Sequence, residues 1–328
     1  MFSFLLKRFL IFLITLFGIT IISFSVIHLA PGGPLSPLTD FNPKITPEYR
    51  ERLVKMYGLD KPLYVQYWQW LKGVAKLDFG RSFSPDQRPV WDKIKERLPI
   101  TLLLNFISLM LILMVSIPLG VFGAVKAGSL ADRILTVMVF IGYAMPSFWL
   151  AIILMMIFGV KLQWLPVSGL HSTLGYEEMS FLEKVWDWTK HLICPLFVAT
   201  FGGIAGFSRY VRNSMIEVLR ADYITFARAK GLPEKEILYK HALRNALLPM
   251  ITLLGLSLPG LIGGSVIFET VFGIPGVGQL MWQAVMARDY PVIMANLFLV
   301  AVLTLVGNFL ADIGYALADP RIRLGEKR

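Results

Sequence analysis

Cysteine is nearly absent from this chain. Cys194 stands alone, so no disulfide can form within the chain and cysteine usage says nothing of the redox compartment. Charge is scarce too: Asp, Glu, Lys and Arg make up 16% of the residues, against about a quarter in an ordinary soluble domain. With 55% hydrophobic residues and a mean hydropathy of +0.62, that scarcity excludes an ordinary soluble globule and points to a polytopic membrane protein. The histidines, at 28, 171, 191 and 241, have no ligand-like spacing, so no metal site is expected. No glycine is followed by lysine, which excludes the phosphate loop G-x-x-x-x-G-K-[ST], and neither H-E-x-x-H nor G-x-S-x-G occurs. The chain carries no visible energy source or catalytic apparatus of its own.

Acids are missing where an ion-coupled carrier would need them. Six windows contain no Asp, Glu, Lys or Arg: Phe9–Leu29, Leu98–Val125, Ile134–Val160, His191–Ser208, Asn245–Phe268 and Pro291–Ala311. Each is near or above the roughly 18–20 residues needed to cross a hydrocarbon core. Their polar residues include Asn105, Ser108, Ser116, Ser147, Asn296, Thr304 and Asn308, with no central carboxylate, and Asp312 only edges the last window. Coupled carriers place ionisable groups at that depth. The composition therefore leaves a passive pore or a protein driven by something else.

What is present is a basic excess in particular places. The net charge is +10, but the cations cluster beside apolar windows, which is the pattern of a membrane topology signal and not of nucleic-acid binding. Lys7 and Arg8, Lys126 and Arg133, the segment Arg209–Arg244, and Arg321, Arg323, Lys327 and Arg328 fall on one side of a six-helix arrangement. The positive-inside rule makes that side cytoplasmic, with both termini inside. The first window could also serve as a signal peptide, but it exceeds an ordinary h-region and Ile27-His28-Leu29-Ala30-Pro31 is not an A-x-A cleavage site, which favours an uncleaved helix. The chain divides into a first transmembrane helix (1–30), an outer segment with short helices (31–97) and a five-helix core (98–328) containing the cytoplasmic loop 209–245.

In the outer segment, Pro31-Gly32-Gly33-Pro34 ends the first helix, and Thr46-Pro47 starts a short one stopped at Gly58. Tyr64, Tyr67, Trp68, Trp70 and Leu71 then recur at helical spacing. They form either an amphipathic helix on the outer membrane surface or a cap that meets an external protein. Pro118, Pro146, Pro195, Pro249 and Pro259 interrupt or edge the spans, with Gly260 beside the last. Broken helices line pathways in transporters, yet small residues also serve plain packing; on the first reading Asn105, Pro146, Pro259, Gly260 and Asn308 are candidate path residues.

Between the fourth and fifth windows runs Asp222-Tyr223-Ile224-Thr225-Phe226-Ala227-Arg228-Ala229-Lys230-Gly231-Leu232-Pro233. A helix that ends on Gly and restarts after Pro predicts helix, sharp turn, helix. Gly231 permits the reversal, Ala227 and Ala229 leave room for a second protein, and Arg228 and Lys230 offer charge. This segment resembles the "EAA" loop of the membrane subunits of binding-protein-dependent ABC importers. The family's Glu-Ala-Ala positions hold Thr225-Phe226-Ala227 here, so the general pattern is only partly kept. The variant of the oligopeptide/dipeptide permease branch is kept closely, in Ala227-Arg228-Ala229-Lys230-Gly231-Leu232 and in His241-Ala242-Leu243-Arg244-Asn245-Ala246-Leu247-Leu248-Pro249.

The resemblance extends along the chain. It includes His28-Leu29-Ala30-Pro31-Gly32, Tyr57-Gly58-Leu59-Asp60-Lys61-Pro62, Gly80-Arg81-Ser82-Phe83 and Glu96-Arg97-Leu98-Pro99-Ile100-Thr101. Near the end come Glu269–Gly278, Ala287-Arg288-Asp289-Tyr290-Pro291 and Asp319-Pro320-Arg321-Ile322-Arg323. The long outer segment is similar to the B-type subunit of such systems. The resemblance implies an all-α type I importer permease fold in a prokaryotic inner membrane. It implies pairing with a homologous second permease, two cytoplasmic ATPases that bind ATP and Mg, and an extracytoplasmic binding protein. Thr225, Phe226, Ala227, Arg228, Ala229, Lys230, Gly231 and Leu232 become the ATPase-docking helix, with no cofactor on this chain. Peptides are the implied cargo; oligosaccharides, nickel complexes and glutathione are carried by similar proteins.

Overall fold

The computed structural model describes residues 2–29, 47–56 and 58–318, and all regular structure there is helical. Pro31–Pro34, Thr46, Tyr57 and Asp319–Arg323, with the cations at Lys327 and Arg328, lie outside the described residues. The helices are α1 (Phe2–Leu29), α2 (Pro47–Met56), α3 (Leu63–Val74), α4 (Val90–Val125), α5 (Leu130–Ala144), α6 (Ser147–Leu154), α7 (Phe181–Leu219) and α8 (Asp222–Ala229). They continue as α9 (Glu234–Glu236), α10 (Leu243–Ala246), α11 (Leu248–Gly263), α12 (Val266–Val271), α13 (Val277–Met286) and α14 (Tyr290–Ala318). Among the described residues, five stretches are long and apolar enough to cross a membrane: Leu6–Ser25, Val90–Val125, Phe181–Leu219, Leu248–Val271 and Tyr290–Ile313.

The third apolar window departs from a straight span. α5 stops at Ala144, and α6 with its wider-wound continuation Met155–Lys161 leaves at 95°. The cause is local. Pro146 disfavours helical backbone at Met145, which takes φ −79° and ψ 120° and caps α5 in an extended conformation. The fourth window is the opposite case: eighteen uncharged residues sit inside the 39-residue α7. Ser180 starts that helix with a capping box, its side chain accepting from the Glu183 N–H while the Glu183 carboxylate accepts from the Ser180 N–H. Helical order runs past the apolar limits at both ends.

Contacts group the chain into two units. The first comprises residues up to Thr101 with Leu258–Val266 and Pro275–Phe309. Its core joins Val74, Phe79, Val90, Ile94, Leu280, Ala284, Val292 and Ala295. A satellite cluster of Phe24, Phe83, Tyr290 and Met294 holds α1 in place. The aromatic helix α3 uses one face to do this: Tyr67 meets Phe24 edge-on at 5.3 Å and shares a 2.8 Å hydrogen bond with Thr20. Tyr64 and Trp68 stay exposed on the other face. α3 is thus amphipathic, with its inner face packed on a transmembrane helix.

The second unit holds Leu102–Ser257, Ile267–Ile274 and the residues from Leu310 onward. Its core gathers Val121, Ala124, Val211, Met215, Ile224, Ala227, Ile237, Ala242, Ala246 and Met250. α4 and α7 approach closely enough that a Cβ at Gly120 would stand 2.5 Å from the Val211 Cβ, so only glycine fits there.

Candidate functional site: a helical elbow with its own core

α7 ends at Leu219, and after Ala221 the chain restarts as α8, whose Ile224 and Ala227 turn into the core just described. The exit from α8 is a Schellman turn. Gly231 N–H donates to the Arg228 carbonyl (2.9 Å) and Leu232 N–H reaches back to the Ala227 carbonyl (3.3 Å). Gly231 adopts φ +77°, a region that L side chains enter only with strain. Leu232 packs on the same apolar cluster, which closes the turn with a hydrophobic contact. Pro233 then starts the return limb: α9, a π turn Ile237–Ala242 and α10.

The two limbs are joined side chain to side chain. Arg228 Nε donates to Glu234 Oε1 at 2.9 Å, and Asn245 Nδ2 donates to the Tyr223 hydroxyl at 2.8 Å. Lys240 and Glu236 pair along the return limb at 2.7 Å, and the Lys240 ammonium holds the Glu236 carboxyl below its ordinary range. The elbow is a small folded body seated on its own core, with Thr225, Phe226, Ala229, Lys230 and Gly231 on its outer surface. Phe226 is the outstanding member, a phenyl ring 69% exposed at a charged helix surface.

Two positions differ from the sequence expectation. Ala227 is not a gap for a neighbouring protein; it is buried against Ile224 and Leu232 inside the elbow's own core. Arg228 is already paired, with Glu234. Tyr223, Glu234 and Asn245 were missed. Opposite charges facing across a predicted Gly-Leu-Pro reversal could have flagged Arg228 and Glu234, whereas nothing in the spacing marks Tyr223 with Asn245.

The candidate path residues are divided between the two units. Asn105 and Pro146 belong to one unit, and Pro259, Gly260 and Asn308 to the other. Pro146 marks the sharp break after α5, and Gly260 and Asn308 are exposed.

A second constellation lies in the first unit, between two of the motifs quoted above. Asp289 is buried at the start of α14, following Arg288, which takes a positive φ of 53°. Its carboxylate accepts from the Phe83 N–H (3.0 Å), from the Ser84 hydroxyl (3.0 Å) and from the Ser82 hydroxyl. Lys93 reaches both serine hydroxyls, at 2.8 and 3.0 Å, and pairs with Asp86 at 2.8 Å. Gly80-Arg81-Ser82-Phe83 and Ala287-Arg288-Asp289-Tyr290-Pro291 are therefore two halves of one buried anchor. Val277 N–H similarly donates to the Thr101 hydroxyl (2.8 Å), joining another pair of the quoted segments.

These features can be set beside known proteins. Residues 116–324 match the family described as "Binding-protein-dependent transport system inner membrane component", and residues 1–105 match its amino-terminal companion. The chain belongs to this family. It is thus a multi-pass inner membrane component, and its relatives match over nearly their whole length. The "Oligopeptide transport system permease protein AppB" of Bacillus subtilis (strain 168) is 46% identical, over 98% of this chain and 99% of that protein. The "Di/tripeptide transport system permease protein DppB" of Pseudomonas aeruginosa (strain UCBPP-PA14) is 37% identical over the same shares. The "Dipeptide transport system permease protein DppB" of Escherichia coli (strain K12) is 36% identical. A solved structure of the MetNI methionine ABC transporter in inward-facing form superposes with a TM-score of 0.51, covering 69% of this chain and 96% of that one. At 19% identity it speaks for the fold alone, that of an ABC importer permease.

Proposed function

We propose that this chain is one of two homologous membrane subunits of an ATP-driven importer and forms half of the path for dipeptides or oligopeptides. In this reading an extracytoplasmic binding protein delivers the peptide, and two cytoplasmic ATPases supply the work. The observation that carries the reading is near full-length similarity to proteins named as peptide permeases, combined with an elbow whose exposed surface is built around Phe226. Hydrolysis belongs to the ATPases, since this chain has no phosphate loop. ATP and Mg bind there and not here.

The elbow docks in a groove of an ATPase, with both termini and the loop 209–245 on the cytoplasmic side. Phe226 provides the apolar anchor, Lys230 a charge at its edge, and the Gly231 turn sets the angle of the return limb. Arg228 acts indirectly, by pinning the limbs to one another through Glu234. ATP-driven closure then displaces a preformed solid element, as coupling between two states requires.

The test is copurification followed by reconstitution. The tagged chain should bring a second permease, ATPase subunits and a binding protein from its membrane. Proteoliposomes of that assembly should accumulate a labelled dipeptide only with ATP. ATP-independent flux through the chain alone would refute the reading in favour of a pore. Assembly and uptake both unaffected by Gly231→Trp would refute the docking role.

A further inference from the structure

α5 and α7 enclose a cleft that the elbow and the buried anchor do not use. At one end of it Asp132 takes both Arg212 Nε and Nη2 at 2.7 Å. At the other, Gly142 lets the helices close, where an added Cβ would stand 3.3 Å from that of Ala205. Between these contacts lie two cavities of about 200 and 300 Å³ that share Val139, Phe140, Arg209 and Asn213.

The two arginines of this cleft are in different electrical states. Arg212 is neutralised by Asp132. Among the described residues no carboxylate lies within 4 Å of Arg209, whose guanidinium stands over the Phe140 ring at 5.4 Å. Asn213 takes a hydrogen bond from Arg212 Nη1 on its Oδ1 (3.4 Å), leaving its NH₂ as a second donor. Arg209 is also the first charge after the uncharged run His191–Ser208, so it sits where α7 leaves the hydrocarbon. Towards the hydrocarbon the wall is Val139, Phe140 and Gly206, and nothing lies within 4 Å of a Cβ added at Gly206.

The cleft is therefore cationic at the membrane surface and apolar below it. We propose that it binds an acidic phospholipid. The phosphate sits on Arg209 and the Asn213 NH₂, and the root of an acyl chain lies in the open space beside Gly206. Basic pockets between helices at a membrane surface suit anionic head groups. A soluble anion would use Arg209 and gain nothing from the apolar wall. The proposal needs only the membrane setting, and holds whether or not the chain carries peptides.

The full chain, extracted in mild detergent with whatever subunits accompany it, is compared with its variants by native mass spectrometry and quantified lipid. Wild type should retain phosphatidylglycerol or cardiolipin. Arg209→Gln should lose about fivefold in retention, the contribution of one basic residue near an anionic surface, while Arg209→Lys should keep most of it. Gly206→Leu fills the apolar half without changing charge, and should also release lipid. Unchanged retention in both Arg209→Gln and Gly206→Leu overturns the proposal. So does an equal loss from Lys126→Gln, which would make the effect one of general surface charge, or displacement of the lipid by a labelled dipeptide, which would make the cleft a site for a passing solute.

Discussion

Arg228 and Glu234 face one another across the Gly231 turn, their side chains joined at 2.9 Å while both remain largely in water. An exposed pair of this kind contributes about 0–1 kcal/mol. Its value lies in fixing the angle between two short limbs that neither could hold alone. That separates residues that make the elbow from residues that use it, and the separation can be measured.

Phe226 and Ile224 are two residues apart and should behave as opposites. Phe226→Ala should leave the thermal stability of the chain within about 0.5 kcal/mol, because the ring touches mostly water. It should weaken ATPase binding about thirtyfold, the loss of an interface anchor worth about 2 kcal/mol. Ile224→Ala, at a fully buried position, should cost about 2–5 kcal/mol of stability. Paired melting curves and a pull-down titration decide both.

Gly231→Ala should destabilise the chain by about 1–2 kcal/mol, although nothing lies within 4 Å of the added Cβ. The cost is one of backbone conformation, so Gly231→Asn should be milder. Equal melting temperatures for the Ala variant and wild type would show that the turn relaxes freely.

Asp289→Ala strands the buried Phe83 N–H and takes one partner from each of two serine hydroxyls, and should cost about 1–3 kcal/mol. Ser82→Ala alone should cost less. Made together, the two losses should fall short of their sum by about 0.5–3 kcal/mol. Additive losses in a double-mutant cycle would mean that the two motifs are not energetically joined.

Asp132→Ala leaves the partly buried Arg212 without its carboxylate and should cost about 3–5 kcal/mol. Replacing both, as Asp132→Leu with Arg212→Met, should cost clearly less than removing Asp132 alone. Denaturation monitored in the same detergent for all three chains checks this order.

Charge-free windows marked the five long apolar stretches found among the described residues because the bilayer forbids unpaired charge over a known length. The elbow was legible for a local reason: Gly231 followed by Pro233 dictates a reversal whatever surrounds it. The bend at Pro146 was only half legible. A proline marks an interruption, but its angle depends on what the two halves pack against. The anchor at Asp289 could not be read, since its partners lie some two hundred residues away and a carboxylate looks the same paired or exposed. Ala227 was misread for a related cause: a small residue fits a foreign surface and a local core equally well.

α7 also sets how motion can travel. Its 39 residues extend about 58 Å, well beyond a hydrocarbon core of about 30 Å. Proline has no N–H, so at Pro195 the ladder lacks one rung, the bond that would close on the His191 carbonyl. On the elbow side of that rung, the close approach at Gly120 and the Asp132–Arg212 clamp tie the helix to its neighbours. α7 thus has its missing rung outside the stretch that is tied to its neighbours, so the segment that carries the elbow is expected to answer as a block.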